Sequence, residues 1–145
     1  MEGMIEAYRG TVYPWQCDHM SHMNVMWYVG KFDEAIWNFF THLGVTPSYM
    51  RANGRGMAAV DQRIAYQREL LAGDTLAIRA GVIEVRERVL RVVLEMRNTE
   101  TGDICALTVL TVVHMDTVAR RSAPLPPDVA ARAGDSIVDY KLPWH

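Results

Sequence analysis

Between residues 25 and 43 the apolar side chains Val25, Tyr28, Val29, Phe32, Ile36, Phe39, Phe40 and Leu43 recur at spacings of three and four. That is the period of one face of an α-helix. Asn24 stands where an N-cap belongs, and Gly44 follows the last periodic residue as a C-terminal stop should. A helix over residues 24–43 is about 30 Å long at 1.5 Å per residue. Trp27 and Trp37 widen its apolar face. Such a helix must lie against a large apolar surface, and the rest of the chain has to supply it.

The supply reads as strands. Residues 4–13 mix apolar and polar positions and stop at Pro14, which predicts one strand before the helix. Thr46-Pro47-Ser48 opens a short helical turn through about Arg51, and residues 53–56 read as loop. Four strands follow. From Met57 to Leu70, Val60, Ile64 and Tyr66 share one parity. From Thr75 to Glu84, Leu76, Ile78, Ala80 and Val82 alternate with Thr75, Arg79 and Gly81. Leu90, Val92, Leu94 and Met96 alternate with Arg91, Glu95 and Arg97. The last strand, Ile104 to His114, is apolar on both parities, so it should be central and covered on both faces. Gly73-Asp74 and Thr101-Gly102-Asp103 mark turns, and Val85 to Arg88 a charged hairpin end. Strands of nine or ten residues span roughly 30 Å, the length of the helix. The expected class is α+β: one long helix wrapped by a curved antiparallel sheet of five to six strands. One helix covers one side of such a sheet, so a second subunit is expected on the apolar surface left over. The chain reads as a single domain over 1–145, with its core at about 5–128. A short helix over 128–133 begins a C-terminal tail at about 129–145 that is expected to be poorly tied down.

Composition narrows the function. A net charge of −2 gives no basic field for nucleic acid and no polybasic block for a membrane surface. No apolar run approaches a membrane span, and the acidic start of the chain does not read as a signal peptide. Two cysteines without a motif, Cys17 and Cys105, argue against a disulfide framework and fit a reducing cytoplasm.

Chemistry concentrates just before the helix, in Cys17-Asp18-His19-Met20-Ser21-His22-Met23-Asn24. A carboxylate, a histidine and an amide are carried to a helix N-terminus, where free N–H groups and the positive end of the dipole favour developing negative charge. That combination suits hydrolysis of an ester of some kind. Asp18 would be nucleophile or general base towards water, or would simply close the turn. His22 and Asn24 would orient Asp18, hold water or bind an acyl carbonyl; as plain structure they are a loop histidine and a helix cap. Cys17, Asp18, His19 and His22 are all possible zinc ligands, but they are crowded into six residues with no second ligand pair, and no metal is expected.

Trp15-Gln16-Cys17-Asp18, Ser21-His22-Met23-Asn24, Tyr28 and Phe32-Asp33-Glu34-Ala35 resemble the hotdog-fold acyl-CoA thioesterases of the 4-hydroxybenzoyl-CoA thioesterase family. Gly73-Asp74, the charged hairpin and the Pro-Leu-Pro run extend the resemblance over about residues 5–128. Ser21 stands where that family usually has glycine, and Val25 where a second asparagine is common. The resemblance implies a hotdog fold and a dimer whose sheets join edge to edge, often paired again into a tetramer. It implies an acyl-CoA substrate and neither metal nor cofactor beyond the CoA of that substrate. Carried over by position, Asp18 is the catalytic carboxylate and the backbone N–H of Val25 polarises the thioester carbonyl. Arg86 and Arg88 contact CoA phosphates, with Arg120 and Arg121 as weaker candidates. Trp15, Met26 and Trp27 are candidates for the acyl pocket, which would suit a short, polar or aromatic acyl group. Two other readings compete: a hotdog hydratase or dehydratase, whose usual Asp-x-Asn-Pro-x-His motif is absent, and a non-catalytic acyl-CoA-binding module.

Overall fold

The computed structural model describes residues 3–144; Met1, Glu2 and His145 of the expected domain lie outside the described residues. Seven residues form β1, Ile5–Thr11, and a 3-10 turn follows at Pro14–Gln16. The long helix α1 is Val25–Leu43, and a short α2, Pro47–Asn53, starts from its Thr46 cap. Then come β2 Arg55–Tyr66, β3 Thr75–Val85, β4 Val89–Asn98, β5 Ile104–Asp116, the two-residue β6 Arg121–Ser122 and α3 Pro127–Asp135. All pairings are antiparallel, in the order β1-β3-β4-β5-β2, with β6 on β5. This is the hotdog arrangement, one helix wrapped by a curved sheet. Among the described residues no helix is long and apolar enough to cross a membrane.

Both ends of α1 form as the residues dictate. The Asn24 side chain accepts the Met26 N–H, and Gly44 takes the left-handed conformation, φ 104°, that releases the chain. Phe32, Ala35, Phe39 and Leu43 are fully buried, against Leu76, Ile78, Ala80 and Val82 of β3 and Leu90, Val92, Leu94 and Met96 of β4. The alternation in those two strands therefore selects the face that meets the helix. Two polar residues of α1 attach it to the outer edge of β1. Asn38 Nδ2 donates to the Ala7 carbonyl at 2.7 Å, and the buried Lys31 Nζ to the Thr11 carbonyl at 3.4 Å. One edge of the sheet is thereby covered. At the other edge β2 pairs on one side only, with β5.

Three expectations need correction. β2 stops at Tyr66 instead of reaching Leu70, and residues 67–74 turn back as a loop. Within β2 the register with β5 shifts between Ala59 and Asp61, leaving Val60 as an extra residue that is exposed. This bulge, not simple parity, lets Met57 and Ile64 both pack on the core. The C-terminal segment is not loose. Val129 and Ala133 of α3 belong to the main core. Beyond it Ile137 bridges to Val82, and Val138 is buried with Met4 and Val93. The Tyr140 hydroxyl donates to the carboxylate of buried Glu95, which also holds Arg97. The Arg63 guanidinium sits 4.6 Å from the Trp144 ring centroid. The chain's own tail thus covers outer-face groups of β3, β4 and β2.

Candidate active site at the start of the long helix

The segment before α1 folds into a tight hairpin. Asn24 N–H donates to the Gln16 carbonyl at 2.9 Å, Cys17 bridges Met23, and Asp18 N–H donates to the His22 carbonyl at 3.1 Å. Ser21 N–H closes the loop onto the Asp18 carbonyl at 2.9 Å. A three-residue loop of this kind ends on a residue in the left-handed region, and Ser21 is there at φ 68°. The serine in place of glycine leaves the turn type intact and holds it under strain. The hairpin is fastened to the body by Met23 N–H, which donates to the Leu70 carbonyl at 2.8 Å.

The Asp18 carboxylate is held at both oxygens. Met20 N–H donates to Oδ1 at 2.8 Å and Asn24 Nδ2 to Oδ2 at 2.8 Å. The other end of the Asn24 amide accepts Met26 N–H at 2.9 Å. One side chain therefore caps the helix and clamps the carboxylate, and the cap fixes which way the amide points. The Asn24 bond, then the Met20 N–H, hold the Asp18 carboxyl below the ordinary carboxylate range; partial burial opposes them, and His22 and His19 add to them. The group is ionised at neutral pH, and each oxygen, holding one hydrogen bond, retains a further lone pair for a substrate or a water. Val25 N–H, at the first position of the helix, donates to no acceptor among the described residues. A carboxylate and a free N–H at the positive end of α1 thus lie in one turn of chain.

Two clefts flank the start of α1, and Asp18 lines neither. One, of about 360 Å³, lies between α1 and the β2–β5 sheet and is lined by Met26, Val29, Trp37, Met57 and Leu110, with Asp33 and Gln62 as polar groups. The other, also about 360 Å³, is bounded by His22, Val25, Tyr28, Tyr66, Arg68 and Glu69. Tyr28 and Tyr66 meet edge to face at 5.2 Å, and burial pushes the Tyr28 phenol up to about 12, so it is a neutral donor. His22 Nε2 lies 3.7 Å from Glu69 Oε1 of the loop after β2.

The structure brings together Asp18, Asn24, Val25 and His22 of the expected site. It separates Arg86 and Arg88 from them. These lie beyond the end of β3, whereas the hairpin lies by its start, and the eleven residues between span roughly 35 Å. Arg86 is bonded to Glu84 at 2.7 Å and Arg88 to the Ser122 carbonyl at 2.8 Å. Arg120 and Arg121 lie at that same far end, Arg121 pairing with Asp116 in β6. Of the pocket candidates only Met26 lines the helix–sheet cleft. Trp27 packs against the core, and Trp15, 69% exposed, stacks on Tyr13 at 4.6 Å. Asp33, Tyr66, Arg68 and Glu69 were missed. Asp33 stood in the sequence as part of the Phe32–Ala35 motif and beside the apolar stripe with no role assigned, Tyr66 stood as a strand residue, and Arg68 and Glu69 need the loop at 67–74 to be folded back. Among the described residues no three of His, Cys, Asp and Glu converge as metal ligands would.

Solved structures share this architecture. A hypothetical protein of Staphylococcus aureus, solved in complex with CoA, superposes with a TM-score of 0.87 at 16% identity over 96% of this chain and 90% of that one. A 1,4-dihydroxy-2-naphthoyl-CoA thioesterase from Synechocystis gives 0.79 at 16% identity, over 91% and 96%. A gentisyl-coenzyme A thioesterase gives 0.76 at 21% identity, over 87% and 98%. No curated protein matches the sequence significantly. The sequence itself matches a family description over residues 12–133, which take in the Asp18 hairpin, α1, the sheet from β2 onward and most of α3, and the chain accordingly belongs to the thioesterase-like superfamily.

Proposed function

We propose that this protein is an acyl-CoA thioesterase that uses Asp18 as its reacting carboxylate. The observation that carries the reading is the Asn24 clamp: an ionised Asp18 is bonded to the residue that caps α1, one position before the unpaired Val25 N–H. The thioester carbonyl oxygen accepts the Val25 N–H, which with the helix dipole stabilises negative charge as it develops there. Asp18 either adds to the carbonyl carbon, or removes a proton from a water that does so. In both cases the C–S bond breaks and the thiolate leaves, taking up a proton. In the first case water then cleaves the acyl–aspartyl anhydride and regenerates the carboxylate. Asn24 and Met20 keep the carboxylate ionised and aimed.

The acyl group occupies the cleft between α1 and the sheet. An apolar lining with one carboxylate, Asp33, and one amide, Gln62, favours a short, polar or aromatic acyl group. A homodimer completes the proposal. The open edge of β2 and the exposed Met26, Val29, Trp37 and Val60 offer a pairing surface, whereas α1 covers the β1 edge. Antiparallel pairing of β2 with a second β2 reverses one sheet relative to the other. The Arg86 and Arg88 end of one copy then lies at the Asp18 end of the other, where those arginines would meet CoA phosphates. Free cysteines at 17 and 105 favour the cytoplasm as its compartment.

Thiol release from acetyl-, butyryl-, hexanoyl-, palmitoyl-, benzoyl- and 4-hydroxybenzoyl-CoA, wild type beside Asp18→Asn, tests the reading. Loss of about 10³-fold or more in a folded variant is expected for a nucleophile or base. Equal rates in the two proteins would remove Asp18 from the chemistry. In single turnover in ¹⁸O water, label in Asp18 establishes the anhydride route, because only water attack on the aspartyl carbon of an anhydride places it there, and label in the product acid alone is common to both routes.

A further inference from the structure

We infer that Arg68 is the cation with which a chain holds the phosphates of a CoA thioester bound at its own Asp18 hairpin. The inference rests on the acyl-CoA reading above. The backbone at Arg68 is fixed from two sides. Gln67 and Arg68 N–H both donate to the Cys105 carbonyl, at 2.8 and 3.1 Å, at the start of β5. Two residues on, the Leu70 carbonyl accepts Met23 N–H of the hairpin. From this anchored position the exposed Arg68 side chain borders the cleft that also holds His22, Val25 and Tyr28.

Its charge is uncommitted. Among the described residues Arg68 makes no side-chain hydrogen bond or ion pair. Of the carboxylates beside it, Glu69 faces His22 and Asp74 accepts the Leu71 N–H at 2.8 Å, while Asp103 shares with Arg68 a second cleft on the Cys105 side without an ion pair between them. Other arginines at this end of the sheet are engaged: Arg9 by Glu6, and Arg97 by Glu95 and the Gly102 carbonyl. A planar guanidinium with its donors free, bordering a cleft that also carries His22, Met23 and Val25 at the head of α1, matches a phosphate ester tethered to a thioester held at the Val25 N–H. The acyl end goes inward past Val25, and the charged end of the same molecule stays at the lip.

Calorimetric titration of CoA and of pantetheine, which lacks the phosphates, into wild type and Arg68→Gln tests this without relying on turnover. Arg68→Gln should weaken CoA binding by about tenfold, the worth of one charge-assisted contact, and leave pantetheine binding unchanged. The salt dependence of CoA binding should fall in the variant. On a CoA thioester KM should rise with kcat retained, and the N-acetylcysteamine thioester of the same acid should be hydrolysed equally by both proteins. Equal affinity of wild type and variant for CoA would overturn the inference while leaving the thioesterase reading in place. Equal weakening towards CoA and pantetheine would also overturn it, since Arg68 would then act through the shape of the cleft. Failure of wild type to bind CoA at all would remove both.

Discussion

Asn24 joins two functions in one amide, and two substitutions separate them. In Asn24→Asp the acceptor that caps α1 survives, because aspartate caps as well as asparagine. The donor is replaced by a carboxylate oxygen at the position now 2.8 Å from Asp18 Oδ2. Two carboxylates so close cannot both ionise readily, and the pair shares a proton at neutral or mildly acidic pH. In Asn24→Ala both bonds go. The lost cap costs about 1 kcal/mol, which lowers Tm by about 3 °C in a domain of this size. The leading cause of the lowered Asp18 pKa also disappears. The wild-type carboxyl titrates below its ordinary value of about 3.9. Its contribution to stability is thus present above that value and is lost as pH falls through the lower folded-state value. The acid limb of kcat against pH should accordingly lie low in wild type, move up in Asn24→Ala and move furthest in Asn24→Asp. Melting temperature at neutral pH should fall in both variants, in Asn24→Ala through the lost cap and in Asn24→Asp because a carboxyl pair whose folded-state pKa is raised destabilises the fold above the unfolded-state value, a loss that lowering the pH reverses. Stopped-flow thiol release across pH, with melting curves on the same samples, reads both effects. An acid limb in Asn24→Asp that coincides with wild type would refute the clamp.

Three further outcomes follow from particular contacts. Ser21→Gly should raise stability by about 0.5–1 kcal/mol, read from the urea midpoint, because glycine takes φ 68° without the Cβ penalty; a lowered midpoint would mean that the serine is not strained. Tyr140→Phe should cost about 1–2 kcal/mol by the same measurement, since Glu95 is buried and loses a donor; no change would mean that the tail contributes no binding energy to the outer face. Phe39→Ala should cost about 3–5 kcal/mol, because the ring is fully enclosed between α1 and the sheet, and a loss under 1 kcal/mol would contradict that packing.

Local periodicity determined much of this protein before any tertiary contact was known. The spacing of Val25 to Leu43, the cap at Asn24 and the stop at Gly44 define α1, since these preferences act within one helical turn. Alternation in β3 and β4 selects their buried face for the same local reason. Asp18 and Asn24 were legible as an acid and a cap at a helix start. The tail, expected to be poorly tied down, is placed only by tertiary contact, where Val138 meets Met4 and Val93 and Tyr140 meets Glu95 on the outer face of the sheet. Other features were decided only when distant segments met. One extra residue at Val60 changes the facing of half a strand, and nothing in its neighbours announces it. The ending of β2 at Tyr66 returns residues 67–70 to the Asp18 hairpin, and so places Arg68 at the cleft. Whether a guanidinium is free or engaged depends on which carboxylates and carbonyls the fold brings near it. Arg86 and Arg88 look as available as Arg68 in the chain; only the register of β3, β4 and β6 gives them Glu84 and Ser122 and puts them at the other end of the sheet.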